Sequence, residues 1–339
     1  MRWIPFSLMI IVLTAGSPAA QVLTVEEAVD SALVANPAVQ AAAARADAGT
    51  SRAKQAKGHR WGRLDLAETY NYSNNPAEVF ALTLNQERFD FDEFFNSDPN
   101  RPAALSTWMT TLDLTLPIYT GGQIGTRVEQ AETMAGADHE NWIHASEQVA
   151  FETSTAFVNL AKARENVDLL GKARATTVAH VKLAEAYAEQ GIILFADVLD
   201  ARVYLSEMDE LLQQAKSGAQ LAEAALNFHM GADQATPRVL AMLPPPPAVT
   251  GELGEWVEAA VERRHDLAAA REQLAAGRLE TKVARSSYLP EVAVVGRYGL
   301  YDDTIFGANG HSGTIMAVAK INLFGGFAGS KANKAAELD

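Results

Sequence analysis

Cysteine is absent from the 339 residues, so no disulfide can form and no lipid-modified N-terminal cysteine is expected. Stability in an oxidising compartment would then have to come from packing or assembly. Basic excess is also missing: 28 Lys and Arg stand against 42 Asp and Glu, a net charge of -14. A surface of that sign does not release counterions from phosphates, which excludes nucleic acid as a partner class. Long apolar runs are lacking too. The longest covers residues 4–13, about ten residues, against the roughly twenty that a membrane-spanning helix needs. Clustered metal or acid–base chemistry is not visible either. The seven histidines are scattered, His139 and His144 fall on different helix faces, and no cofactor is implied. Asp90, Asp92 and Glu93 read as solvated loop carboxylates, and no catalytic residue emerges.

What the N-terminus does have is Arg2, the short apolar run and then Ala15-Gly16-Ser17-Pro18-Ala19-Ala20. A charged start, a short apolar core and small residues predict an export signal over residues 1–20, cleaved near Ala19 or Ala20.

The chain repeats itself. Residues 23–72 and 251–300 match without a gap, each a helical stretch ending in an alternating strand, with Asn36-Pro37-Ala38-Val39 falling on Arg264-His265-Asp266-Leu267. A second pair follows: Leu112 to Gly122, with Pro117, Gly121 and Gly122, is answered by Ala319 to Gly326, with Gly325 and Gly326. One supersecondary unit used more than once has to be settled before any fold assignment. Thr24 and Glu27 predict a capping box for the first helix, Pro37 a restart, and Gly58 and Gly62 its end. Period-two patterns predict strands at 64–72, 108–118, 292–300 and 314–323, of the length that a tilted transmembrane strand requires. A half-buried strand of a soluble sheet would show the same alternation. The first connection, 73–107, is long and carries the acidic aromatic run 89–95; its counterpart, 301–313, is short. The glycine pairs have neither the third glycine nor the lysine of a phosphate loop and predict sharp strand-to-helix turns.

The centre is helical. No proline interrupts residues 124–190, and apolar or small residues recur at three and four, as in a coiled coil. Gly191-Ile192-Ile193-Leu194-Phe195 breaks the pattern, which resumes from Val198 to Leu226. The expectation is an antiparallel hairpin whose first arm is on the order of 100 Å long. The four prolines at 244–247 make a stiff connector.

In order and spacing these features resemble the TolC-like outer-membrane efflux proteins over nearly the whole mature chain. Leu23 to Ala28 with Asn36-Pro37 is similar to the family's opening helix. Arg264-His265-Asp266-Leu267 is similar to its second-repeat counterpart, where proline is usual in place of His265. The Leu116 to Gly122 and Ile321 to Gly326 segments resemble the family's strand exits, and Gly191 to Ala201 its hairpin tip. The resemblance implies a mainly α fold with a β-barrel portion. Long antiparallel coiled-coil hairpin helices would join four transmembrane β-strands per chain, in a homotrimer with a twelve-stranded barrel and an α-helical tunnel. It implies a passive conduit, not an enzyme, that crosses the outer membrane and reaches into the periplasm. Gly191, Ile192, Ile193, Leu194, Phe195 and Asp197 would dock a periplasmic adaptor and, through it, an inner-membrane pump.

The segments expected on this basis are 1–20 (signal), 21–123 (helix and two strands), 124–232 (hairpin), 233–252 (connector) and 253–339 (second repeat and the start of a second hairpin). The family pattern continues past the fourth strand with that second hairpin, whereas this sequence stops at Asp339. Residues 21–339 alone are therefore not expected to seal a tunnel, and a conductance recording of a stable, closable pore from them would overturn this. The alternative reading is a soluble periplasmic coiled-coil adaptor or scaffold.

Overall fold

The computed structural model describes residues 22–243, 245–246, 248, 250–324, 326–327, 331 and 333–335. The expected signal and Gly325 lie outside the described residues, as do Pro244 and Pro247 of the connector. In chain order the elements are Val22–Leu23 (β1), Val25–Ala35 (α1), Pro37–Gly58 (α2), Arg63–Ser73 (β2), Pro76–Asn85 (α3), Phe91–Asn96 (α4), Leu105–Thr120 (β3), Gln123–Glu189 (α5), Phe195–His229 (α6), Val239–Leu240 (β4), Leu253–Arg263 (α7), His265–Ser286 (α8), Glu291–Asp302 (β5) and Gly310–Lys320 (β6).

The duplication is structural. Helices α1 and α7 are each 11 residues long, α2 and α8 each 22, and a strand follows both pairs. Their caps differ. Thr24 and Glu27 form the expected capping box, and Asn36 Oδ1 accepts from the Ala38 N–H at 2.8 Å at the restart before Pro37. In the second copy Arg264 makes no side-chain cap.

One compact unit gathers residues up to 42 with 143–260. Its core places Phe157 and Leu160 of α5 against Leu226 of α6, Met230 just after that helix, and Ala28 of α1. Ion pairs Arg164–Glu223, Arg174–Asp209 and Arg202–Glu185 join α5 to α6, and their order along the two helices makes the pair antiparallel. They orient more than they stabilise, because exposed pairs contribute at most about 1 kcal/mol each. The buried apolar seam does the rest. A short parallel pairing, β1 with β4, ties the N-terminal segment to the connector, a contact with no sequence signal. Asn227, fully buried, donates to the Thr236 carbonyl at 2.7 Å and accepts from Arg238 Nε at 2.7 Å, which fixes the path of that connector.

The other unit holds residues 43–142 and 261–339. Its sheet has the order β2-β3-β5-β6, antiparallel throughout. Strand β3 is longer than expected, 16 residues, and β6 stops at Lys320, short of the predicted 323. A bulge between Pro117 and Tyr119 accommodates the proline, which has no N–H to give to the ladder. The long 73–107 connection is not an irregular loop: it contains α3 and α4. Asn75 caps α3, and Asp90 caps α4 by accepting from the Glu93 N–H at 3.0 Å. Asp90 is thus an exposed carboxylate, as expected, that also caps α4. The aromatic run packs on itself, with Phe89 centred 5.6 Å from Phe80 and 5.5 Å from Phe94.

Candidate functional site

Strand register sorts the sheet into two faces, because directly paired residues share a side. Leu64, Leu66, Tyr70 and Tyr72 pair with Leu114, Leu112, Trp108 and Ser106. Leu112 and Leu114 continue onto Tyr298 and Gly296, and Gly296 onto Ile315. This face is apolar and uncovered: Leu66 is 70% exposed and Ile315 84%. Aromatic rings gather toward one end of it, where Tyr70 and Trp108 lie 4.8 Å apart. The opposite face carries Arg63, Asp65, Asp113, Arg297 and Tyr301. Across β3 and β5, Arg297 Nε donates to Asp113 Oδ1 at 2.5 Å.

Glu68 escapes the alternation. It stands on the apolar face, where its carboxylate accepts from the hydroxyl of Thr110, its cross-strand partner, and from the Phe306 N–H at 3.4 Å. A charge among leucines is costly unless bonded, and the register supplies the donor. The pairing of Glu68 with Thr110 could be found only once register was known.

At the ends of the strands glycine allows the chain to turn within two residues. Gly121 and Gly122 both have positive φ, +62° and +81°, and Gly326 has +62°. A β-carbon on Gly121 would come within 2.7 Å of Leu289 Cβ and 2.8 Å of the Ser286 carbonyl oxygen, whereas one on Gly122 would meet open space. Gly62, before β2, is tighter still: its β-carbon would lie 2.2 Å from the Thr115 carbonyl oxygen. Pro117 is part of the bulge just ahead of the first turn.

The hairpin tip has its own logic. Helix α5 ends in a Schellman motif, in which the N–H of Gly191 reaches Ala188 at 2.9 Å and that of Ile192 reaches Tyr187 at 2.9 Å. The φ of +72° at Gly191 makes this possible. Helix α6 then starts with Asp197 accepting from the Leu194 N–H at 2.9 Å. These bonds satisfy the N–H groups of Gly191, Ile192 and Leu194. Apolar side chains stand outward there: Ile192 is 62% exposed, Leu194 73% and Phe195 64%, with exposed Asp197 beside them, while Ile193 is half-buried. Among the described residues no group of three His, Asp or Glu side chains is placed to hold a metal ion. Nor is any helix among them long and apolar enough to cross a membrane.

A four-stranded antiparallel sheet with one bare apolar face, on a chain that is otherwise long helical hairpin, defines the fold of the outer-membrane channels. A membrane protein from Pseudomonas aeruginosa superposes with a TM-score of 0.77 at 20% identity, covering 93% of this chain and 69% of that one. The outer membrane protein VceC of Vibrio cholerae gives 0.73 at 19%, covering 93% and 72%. At such identities the likeness shows the fold. The outer membrane efflux protein family matches over residues 28–232, and the chain belongs to that family. It is also 32% identical to the protein CyaE of Bordetella pertussis over 184 residues, which are 52% of this chain and 37% of CyaE. This chain therefore spans little more than a third of that relative.

The two glycines of the first turn should respond differently. Gly121→Ala is expected to lower stability by about 2–3 kcal/mol, a left-handed backbone cost plus displaced backbone and Leu289. Gly122→Ala should cost about 1 kcal/mol, the left-handed cost alone. Midpoints of thermal unfolding in detergent will rank them, and equal losses would contradict the crowding at Gly121.

Proposed function

We propose that this chain is a protomer of an outer-membrane exit duct for an envelope-spanning exporter, tripartite efflux or type I secretion, acting as a passive conduit without catalysis. The observation that carries this is the uncovered apolar face with its aromatic end. In water such a face would be an aggregation site, whereas in lipid it is the required exterior. Strands of 11 residues or more match a tilted crossing of the bilayer. The edges β2 and β6 are open in one chain, and open edges are not tolerated in hydrocarbon. Copies of the same sheet joined edge to edge remove them, and three copies give a twelve-stranded barrel.

In this reading the polar face with Asp113 and Arg297 is the pore wall, and the tip turn is where the periplasmic adaptor docks. Ile192, Leu194 and Phe195 supply the apolar contact, and Asp197 holds the turn that presents them. The inner-membrane pump is reached through the adaptor.

Fractionation decides between the duct and a soluble adaptor or scaffold. Heat-modifiable oligomers extracted by detergent from the outer membrane are expected, and release by osmotic shock would overturn the duct. Leu66→Arg should cost about 2–4 kcal/mol against lipid and abolish assembly, while Ala67→Arg on the polar face should assemble. Equal tolerance of both would remove the lipid assignment.

The tip is tested separately. Ile192→Asp with Phe195→Asp should leave outer-membrane assembly intact and abolish crosslinking to the adaptor and export. Unimpaired export would move the docking surface elsewhere.

A further inference from the structure

Helix α3 does not extend away from the strands that it connects. At its start the Glu78 carboxylate accepts from Asn71 Nδ2 at 2.5 Å and from Ser73 Oγ at 2.6 Å, both on β2. The residue after its last turn, Gln86, is 1% exposed and donates through Nε2 to Thr107 Oγ1 of β3 at 2.7 Å. Beside it, a β-carbon at Gly310 of β6 would lie 1.8 Å from the Asn85 carbonyl oxygen, so only glycine admits the approach. Just beyond, Arg88 pairs with Asp303 at 3.0 Å and fastens the segment to the turn between β5 and β6.

Register puts these anchors on one face. Asn71 and Ser73 have the parity of Asp65, Thr107 that of Asp113, and Gly310 pairs with Tyr301, which has the parity of Arg297. All belong to the polar face, at the strand ends away from the Gly121 turn. The dimensions agree: 10 helical residues are about 15 Å long, and four strands span about 14 Å. Helix α3 therefore reaches from one edge strand to the other. Hydrogen bonds from Ser73, then Asn71, hold the Glu78 carboxyl below the usual carboxylate range, consistent with an anchor charged at neutral pH.

We infer that α3 is a transverse bar on the pore side of the outer mouth, held by Glu78 and Gln86, which limits the width of what leaves the duct. This rests on the duct reading, since only there is the polar face a pore wall. A connection serving only to join β2 to β3 needs no buried amide, no glycine at 310 and no tie to the second hairpin.

The absence of native cysteine makes the test direct. Thr111→Cys places a thiol on the polar face, midway along β3 and behind the bar, and Ile315→Cys places one on the apolar face. On intact cells a small membrane-impermeant thiol reagent should label Thr111→Cys, and a polymer-linked maleimide should not. Adding Glu78→Ala with Gln86→Ala should raise polymer labelling about tenfold, the factor given by ~1.4 kcal/mol of lost hydrogen bonding. If that double variant does not assemble, replacing residues 76–104 by a short glycine–serine linker must produce the same rise. Polymer labelling equally fast with and without the bar, or unchanged by either variant, would overturn the bar while leaving the duct. Failure of the small reagent at Thr111→Cys with labelling at Ile315→Cys would overturn the duct reading itself, and the bar with it.

Discussion

A backbone amide inside hydrocarbon has no water to turn to, and much of this structure follows from that constraint. In the sheet residues 108–115 of β3 and 291–301 of β5 are paired on both sides, so the middle of the sheet meets the requirement within one chain. Strands β2 and β6 meet it on one side only. The same face that is too apolar for water thus belongs to a sheet too open for lipid; in the proposed duct lipid covers the face and association of copies closes the edges. The polar exceptions obey the rule. Glu68, on the apolar face, is bonded to its cross-strand threonine, and Pro117, which cannot donate, sits in the bulge.

Duplication explains how one architecture meets this demand twice. Two copies of an 11-residue helix and a 22-residue helix each lead into a pair of antiparallel strands, and in the first copy Gly121 and Gly122 lie between β3 and α5. Equivalence of the copies ends at the caps and connections. Asn36 caps its restart and also donates to the His229 carbonyl at 2.8 Å, joining α1 and α2 to the end of α6. Its counterpart Arg264 instead pairs with Asp266, and His265 at the proline position contacts Glu140 of α5 at 2.6 Å. The departure from the proline pattern is thus a local change of partner and not a loss of the turn.

Much of this was legible in the residues because it rests on periodicity. Helix and strand identities, the hairpin with its turn at Gly191, and the capping box at Thr24 all follow from patterns within one segment. What was not legible depends on register or on distant partners. The β1–β4 pairing brings Val22 to Val239, and Asn227 bonds the connector, with nothing local to mark either. Glu68 breaks the alternation of β2, and only the neighbouring strand shows how it is satisfied. The 73–107 segment read as a loop because its prolines and asparagines are turn formers, yet Asn75 and Pro76 are the cap and first residue of α3.

The tip and the sheet illustrate opposite uses of exposed apolar side chains. On the sheet they form a continuous face, and continuity is what lipid asks for. At the tip they are three side chains on a turn in which the N–H groups of Gly191, Ile192 and Leu194 are bonded within the chain. An N–H group already bonded within the turn need not be desolvated when another protein covers it, which lowers the cost of covering the apolar side chains beside it. In the proposed duct the Schellman motif therefore does more than end a helix: it lowers the cost at which an adaptor would cover the end of the hairpin.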